Sequence, residues 1–313
     1  MSRVDPDLGT VSERQRTNGG AAPTRVPGRL WVLLAAGLVC YGLSSILVRA
    51  AGPAPPLAIA LWRTVFVTAL LAPAAVVRAR GEIAAMPRRA WALIGASGVV
   101  LGLHFAAWIV SVQLTTVAAA SVLVTTSPLW LAGLGLVGIG GRPSRRTLAA
   151  VGVGVLGAAT IGLGGSAGVP PPAPGVGNAL ALGAAVLVSG YYLAGQSVRR
   201  GASFLAYFAP VNAVAAITLL VVCGATGTPL GLPPETLAWC FAMAVGPGLV
   251  GHGSFAVALG YVPASTLSLL GLAEPVIASA LAVVLFAEVP SVLALGGMAL
   301  VLVSIASVVR GRG

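Results

Sequence analysis

Apolar residues run along this chain in ten stretches separated by charges, prolines and polar clusters: 30–50, 57–77, 90–111, 115–138, 147–165, 177–197, 204–224, 236–258, 263–286 and 291–309. A membrane-crossing helix needs about 20 predominantly apolar residues, within a range of roughly 17–25. The pattern therefore predicts an all-α integral membrane protein with ten transmembrane helices. Arginine placement tests the count, because positive charge concentrates in short cytoplasmic loops. Arg3, Arg14, Arg16, Arg25 and Arg29 precede the first stretch, and Arg78, Arg80, Arg88 and Arg89 follow the second. Arg142, Arg145 and Arg146 follow the fourth, Arg199 and Arg200 the sixth, and Arg310 and Arg312 the tenth. Ten crossings put all of these on one face, the cytoplasmic one, together with both termini. Arg49 and Arg63 alone fall elsewhere. Nine or eleven crossings would scatter the arginines over both faces.

The chain also repeats itself. Trp91 and His104 stand thirteen residues apart, and Trp239 and His252 do the same 148 positions later. Pro128 pairs with Pro275, and Pro143 with Pro290, at an offset one residue shorter. Two copies of one unit are expected, at 30–165 and 177–309, after a disordered cytoplasmic arm over 1–29 that lacks the apolar core of a signal peptide. Each copy holds five predicted helices. Because five is odd, the second copy enters the bilayer from the opposite face, and the fold becomes two inverted five-helix repeats. Such repeats place a binding site between the halves near the midplane. His104 and His252 each lie roughly 20 Å along their helices, at 1.5 Å per residue. They are expected at mirrored depths, one toward each mouth.

Composition agrees. The chain is 58% hydrophobic and only 8% charged, whereas a soluble domain carries about a quarter charged residues. The net charge of +11 is carried by arginine with no lysine at all. In a soluble protein that balance would point to nucleic acid. Here the arginines form short tracts between apolar runs, so membrane orientation explains them and no nucleic-acid partner is expected. Lysine-free, alanine- and glycine-rich usage reads as GC-rich coding, hence a bacterial inner membrane. Cys40, Cys223 and Cys240 lie inside apolar stretches without CxxC spacing or a cysteine–histidine cluster. No metal, disulfide or cofactor is therefore expected.

The stretches LGLHFAAWIVSVQLTTVAAASVLVTTSPLW (101–130) and GHGSFAVALGYVPASTLSLLGLAEPVIASALAVVLFAEVPS (251–291) resemble the EamA-type family of the drug/metabolite transporter superfamily. So do the two halves, each closed by a helix after GGRPSRR or AEVPS. The likeness covers about residues 30–309 and implies secondary transport of a small molecule. One position departs from it: the acid expected before the Arg-Pro-Ser turn is Gly141, whereas the second half keeps Glu288.

Several residues are candidates for chemistry. Arg63 lies early in the second stretch, and a charge in hydrocarbon costs about 2.5–3.5 kcal/mol or more. It is expected to face the bundle interior and clamp an anionic group with its fork, unless it snorkels to the outer interface. Glu274 precedes Pro275, which removes the donor to the Gly271 carbonyl. An acid beside a freed carbonyl can bind a proton or a cationic group, or can be a structural acid satisfied by a neighbour. Ser127-Pro128 is its counterpart. Should Arg63 and Glu274 meet, substrate would break their pair. His104 and His252 can relay protons, although duplication favours a packing role. Gly98 and Gly102, and Gly246-Pro247-Gly248 with Gly251, interrupt the third and eighth stretches at corresponding places. These, with Pro128 and Pro275, are candidate gates, or else seats for close helix packing. Trp62, Trp108, Trp130 and Tyr191 either line a cavity or belong to interfacial belts.

The expected function is alternating-access transport, as an exporter or exchanger, with a small-molecule substrate and the lipid bilayer as partners. Protons are the coupling ion that the acid and histidines suit. No particular oligomeric state follows from the sequence. A passive channel is the alternative. An intramembrane enzyme would need convergent catalytic groups, and Glu274 is the only carboxylate clearly inside a stretch. No P-loop is present to drive transport with ATP.

Overall fold

The computed structural model describes residues 27–139, 141–163, 171–286 and 291–309, and every regular element among them is helical. Most of the expected N-terminal arm, Glu288, Pro290, Arg310 and Arg312 lie outside the described residues. Helix α1 (Gly28–Ala50) stops ahead of Gly52, whose φ of 78° suits glycine. Helix α2 (Pro56–Arg78) opens on a proline, tolerated there because first-turn N–H groups have no intrahelical partner. A short α3 (Arg80–Ala84) leads into α4 (Arg88–Leu114). Helices α5 (Val117–Val124), α6 (Ser127–Leu136) and α7 (Arg145–Leu163) complete the first half.

The second half follows the same order. Helices α8 (Pro174–Arg199) and α9 (Phe204–Ala225) are continuous. Next comes α10 (Pro234–Met243), which passes through a π-helical stretch, Ala244–His252, into α11 (Gly253–Ala258). Helices α12 (Ala264–Gly271), α13 (Ala273–Phe286) and α14 (Val292–Val309) end the described chain. Seven of these runs are long and apolar enough to cross a membrane, and Ala264–Ala278 and Val292–Ser307 are shorter apolar helices. Val32 and Val77 point outward on two of the seven, as do Leu156 on α7 and Val303 on α14. Apolar faces of this extent suit lipid, and the protein is a multi-pass membrane protein.

Two predicted stretches are broken at equivalent points. The fourth divides into α5 and α6 around Thr125-Thr126, and the ninth into α12 and α13 at Leu272. The prolines behind each break, Pro128 and Pro275, have no N–H for the carbonyls of Val124 and Gly271. In the first half, threonine hydroxyls bond carbonyls of the turn just before the break. Thr125 Oγ1 lies 2.9 Å from the Ser121 and Val122 carbonyl oxygens, and Thr126 Oγ1 donates to Leu123 O at 2.6 Å.

The third and eighth stretches, expected to be interrupted alike, differ. Helix α4 runs unbroken through Gly98 and Gly102. Both glycines seat it against α9: a Cβ on Gly98 would stand 2.5 Å from Val214 Cβ, and one on Gly102 2.8 Å from the Ala215 oxygen. The eighth stretch instead loosens into the π-helix around Gly246-Pro247-Gly248. Proline inside the helix removes a donor there, and none of α4's residues does the same. Gly248 also admits α2 closely, since a Cβ would stand 2.6 Å from Val67 Cγ2.

Exchange of the halves preserves the packing. Helix α4 lies along α8, as the π-helix and its flanking helices lie along α1. The α5–α6 run packs on α8, as α13 packs on α1. The remaining contacts map onto themselves: α2 with α9, and α7 with α14. The last pair crosses at Gly157 and Gly297, where a Cβ on either would come within 2.7 Å or 2.6 Å of the other's carbonyl oxygen. The main apolar core contains residues of both halves, from Leu34 and Ile59 to Phe208 and Phe255. Gly141, in place of the expected acid, has φ 97°, a conformation that a side chain would strain.

Candidate functional site: a cavity between the halves

A cavity of about 60 Å³ lies where the two halves face each other. Its wall includes Tyr41 and Ser44 of α1, Arg63 of α2, and His104, Phe105 and Trp108 of α4. Thr125 and Ser127 line it at the first helix break, Tyr192 from α8, and His252 from the π-helix. Ser268, Gly271 and Glu274 line it at the second break. Two repeat-equivalent pairs, His104 with His252 and Ser127 with Glu274, therefore share one wall. Each half therefore supplies its member of both pairs to the one cavity.

Arg63 is 1% exposed and repeats at helical spacing with Ile59, Val67 and Leu71 on the inner face of α2. It does not snorkel outward. Its guanidinium carbon sits 4.1 Å from the centre of the Phe105 ring, a cation–π contact that stabilises a desolvated charge by up to about 2 kcal/mol. Nε and Nη2 have no hydrogen-bond partner. Neither nitrogen bonds Glu274, although both residues line the cavity.

The histidines depart from the expected mirrored depths. Their ring centres are 6.2 Å apart at an interplanar angle of 69°. Positions related by a two-fold meet when they lie near its axis, and distance along each helix does not reveal that. The Nδ1 of His104 is 2.8 Å from the Ala184 carbonyl oxygen of α8. A carbonyl only accepts, so Nδ1 carries a proton there and Nε2 is left as the neutral ring's acceptor. His252 lacks such an anchor: its Nδ1 is buried without a partner, and its ring is boxed at 4.9 Å by Tyr41 and by Phe105.

Trp108 reaches the cavity with its indole N–H unpartnered. Trp62 does not line it, and its Nε1 donates to Leu230 O at 2.8 Å. Trp130 stands on the outer face of α6. Tyr191 is buried beside the cavity, stacked on Tyr207 at 6.4 Å, and its neighbour Tyr192 takes the lining position. Of the candidate gates, Pro128 and Pro275 lie at the two breaks and Pro247 and Gly248 in the π-helix, while Gly98 and Gly102 are packing seats. Ser189 on α8 secures the first break, donating to the Ala185 carbonyl at 2.8 Å with the Ser127 carbonyl at 3.1 Å. Arg49 donates to Thr115 O at 3.1 Å.

Sequence reasoning missed Tyr41, Ser44, Phe105, Thr125, Tyr192 and Ser268. One of them carried a signal: Ser268 stands 147 residues after Ser121, the offset of the proline pair. Tyr192 differs from the expected Tyr191 by a rotation of about 100° on the helix.

The EamA-like transporter family matches residues 27–163 and again 175–310. No curated protein matches the chain. Among solved structures 29 chains match. One crystal structure is 18% identical, with a TM-score of 0.73 over 91% of this chain and 98% of that one. At that identity the likeness speaks to the fold.

Proposed function

The chain belongs to the EamA-like transporter family, a family of membrane transporters, and from that premise we propose a secondary transporter that moves a small metabolite by alternating access. The carrying observation is that His104 with His252, and Ser127 with Glu274, line one cavity between the halves. A site on the exchange axis belongs to both halves equally. Rocking one against the other can then expose it to either face in turn.

In this reading the chain crosses the membrane ten times as two inverted five-helix repeats, 30–165 and 177–309. The arm 1–29 and both termini lie in the cytoplasm of a bacterial cell, and the protein sits in the inner membrane. Arg63 holds substrate, while Glu274 and the His104–His252 pair face it from the second half and the axis. The breaks at Pro128 and Pro275 and the π-helix at Pro247-Gly248 supply the movable segments, since backbone freed from helical bonding bends most easily. Export or exchange, with protons as the coupling ion, is the direction that the acid and the histidines support.

The test is a metabolite screen with purified protein in proteoliposomes, with and without a pH gradient. Saturable uptake and counterflow of labelled substrate against an unlabelled pool are expected. Non-saturating flux without counterflow would mark a passive channel instead.

A further inference from the structure

Resting on the transporter reading, we infer that the ends of α1 and α8 form a pair of latches: Gln196 and Arg199 hold the cytoplasmic mouth of the cavity shut, and Arg49 with Gln113 holds the outer one. The halves exchange their first helices. Helix α8 packs mainly on α4 and the α5–α6 run, and α1 on the π-helical stretch and α13. Each exchanged helix nevertheless bonds its own half at its C-terminal end. What it meets there is the turn between the third and fourth stretches. Arg199, the last residue of α8, donates from Nε to Ala256 O at 2.8 Å and from Nη2 to Val257 O at 3.4 Å. Both carbonyls belong to the last turn of α11, an end that favours a cation. Nη1 bonds Ala202 O, which fixes the side chain in place. Earlier on α8, Gln196 Oε1 accepts at 3.0 Å from the N–H of Ala264, the first residue of α12. The two side chains thus hold the turn 259–263 from both of its ends.

The other face repeats the arrangement. Gln196 stands 147 residues after Arg49, the offset that relates Pro128 to Pro275. Arg49, in the last turn of α1, donates to Thr115 O, and Gln113 Nε2 donates back to Ala54 O at 3.3 Å, just beyond that helix. Thr115 lies between α4 and α5. In the proposed topology of ten crossings this turn faces outward and 259–263 faces the cytoplasm. Both are packed inward: Thr115 is 2% exposed, and Leu259 and Val262 are 1% and 2%. Each turn also joins helices that form cavity wall. Trp108 precedes the first turn and Val124 follows it; His252 precedes the second and Ser268 follows it. A turn that swings away from the neighbouring helix end therefore carries part of the wall with it. Both latches are engaged in this structure, so opening either mouth breaks the bonds at that mouth alone.

The experiment reads the side from which the cavity is reached. Ser44→Cys, in the full-length protein with Cys40, Cys223 and Cys240 replaced by alanine, puts one thiol in the cavity wall on α1. A membrane-impermeant maleimide then labels it in right-side-out or in inside-out vesicles. Adding Arg199→Gln should accelerate labelling in inside-out vesicles about tenfold, the effect of one lost charge-assisted contact, without raising the right-side-out rate. Gln196→Ala removes one neutral bond and keeps Arg199, and should act on the same side about threefold. Arg49→Gln should act on the opposite side, accelerating right-side-out labelling about threefold, because water competes for the bond of an exposed arginine. A helix cap with no part in gating would lower the melting temperature of Arg199→Gln and leave labelling from the two faces unmoved, or raise both equally. Either pattern, in Arg199→Gln or in Gln196→Ala, would overturn the inference, as would acceleration on the outer face by these two variants. Saturable counterflow by the wild type would leave the transporter reading standing after such a failure. A cavity thiol silent from both faces in every variant, with no counterflow for any metabolite screened, would overturn both.

Discussion

The two broken helices have one backbone plan and opposite chemistry. Both divide a few residues ahead of a proline, and both present the residue before that proline to the cavity. In the first half this residue is Ser127, preceded by two threonines whose hydroxyls bond carbonyls of the preceding turn. In the second it is Glu274, preceded by Leu272 and Ala273, which have no hydroxyl to offer. The third and eighth helices diverge in a different way: α4 is continuous, and its partner carries a π-helical stretch. Proline placement fixes the shape that the halves share, and side-chain substitution gives each half its own chemistry at the cavity. The first half supplies the fixed cation, and the second supplies the acid and the loosest backbone.

The largest effect expected from breaking this asymmetry is at Arg63. Arg63→Ala should reduce transport at least about 100-fold, since two charge-assisted hydrogen bonds are each worth roughly 1.5–3 kcal/mol. The melting temperature in detergent should hold or rise, because the substitution removes a buried charge without an ion-pair partner. A marked fall in melting temperature with transport retained would make Arg63 a structural residue. Glu274→Ser should be nearly as severe, about 30-fold or more in transport rate, through loss of a charged contact. The exchanged double variant Ser127→Glu/Glu274→Ser sharpens the comparison: it should recover to within about tenfold of the wild type. A double variant as inactive as Glu274→Ser would show that the two positions are not interchangeable across the cavity.

Smaller effects test packing. Gly98→Ala overpacks the α4–α9 contact and should cost about 1–3 kcal/mol, read as a lowered melting temperature. Gly246→Ala should be tolerated within about 0.5 kcal/mol, since a Cβ there meets only Cys40 Sγ at 4.0 Å. Equal behaviour of these two would contradict the assignment of Gly98 as a seat. Thr126→Val removes the hydroxyl bonded to Leu123 O and should cost about 1 kcal/mol.

Much of this architecture was legible in the residues. Among the described residues each apolar stretch falls mostly on helix, and the Pro128–Pro275 pairing marked both breaks, because proline acts locally and leaves the same trace in each copy. The buried state of Arg63 followed from the cost of a charge in lipid. What escaped depends on three dimensions. The meeting of His104 and His252 depends on how the halves pack together, invisible to distances along single helices. Glycine at 98 and glycine at 248 look alike in sequence, and only the neighbouring proline at 247 separates a packing seat from a loosened helix. The choice of Tyr192 over Tyr191 turns on helix rotation, which a nearly uniformly apolar helix conceals. Tyr41 and Ser44 sit among small residues of α1 with no repeat partner to flag them.

The most direct measurement is two-sided accessibility of the shared cavity. Ser268→Cys, in a background with Cys40, Cys223 and Cys240 replaced by alanine, would be treated with a membrane-impermeant maleimide in right-side-out and in inside-out vesicles. Labelling from either face is expected, with saturating substrate slowing both reactions. Labelling from one face only, under every substrate condition, would contradict a site that the two halves open in turn.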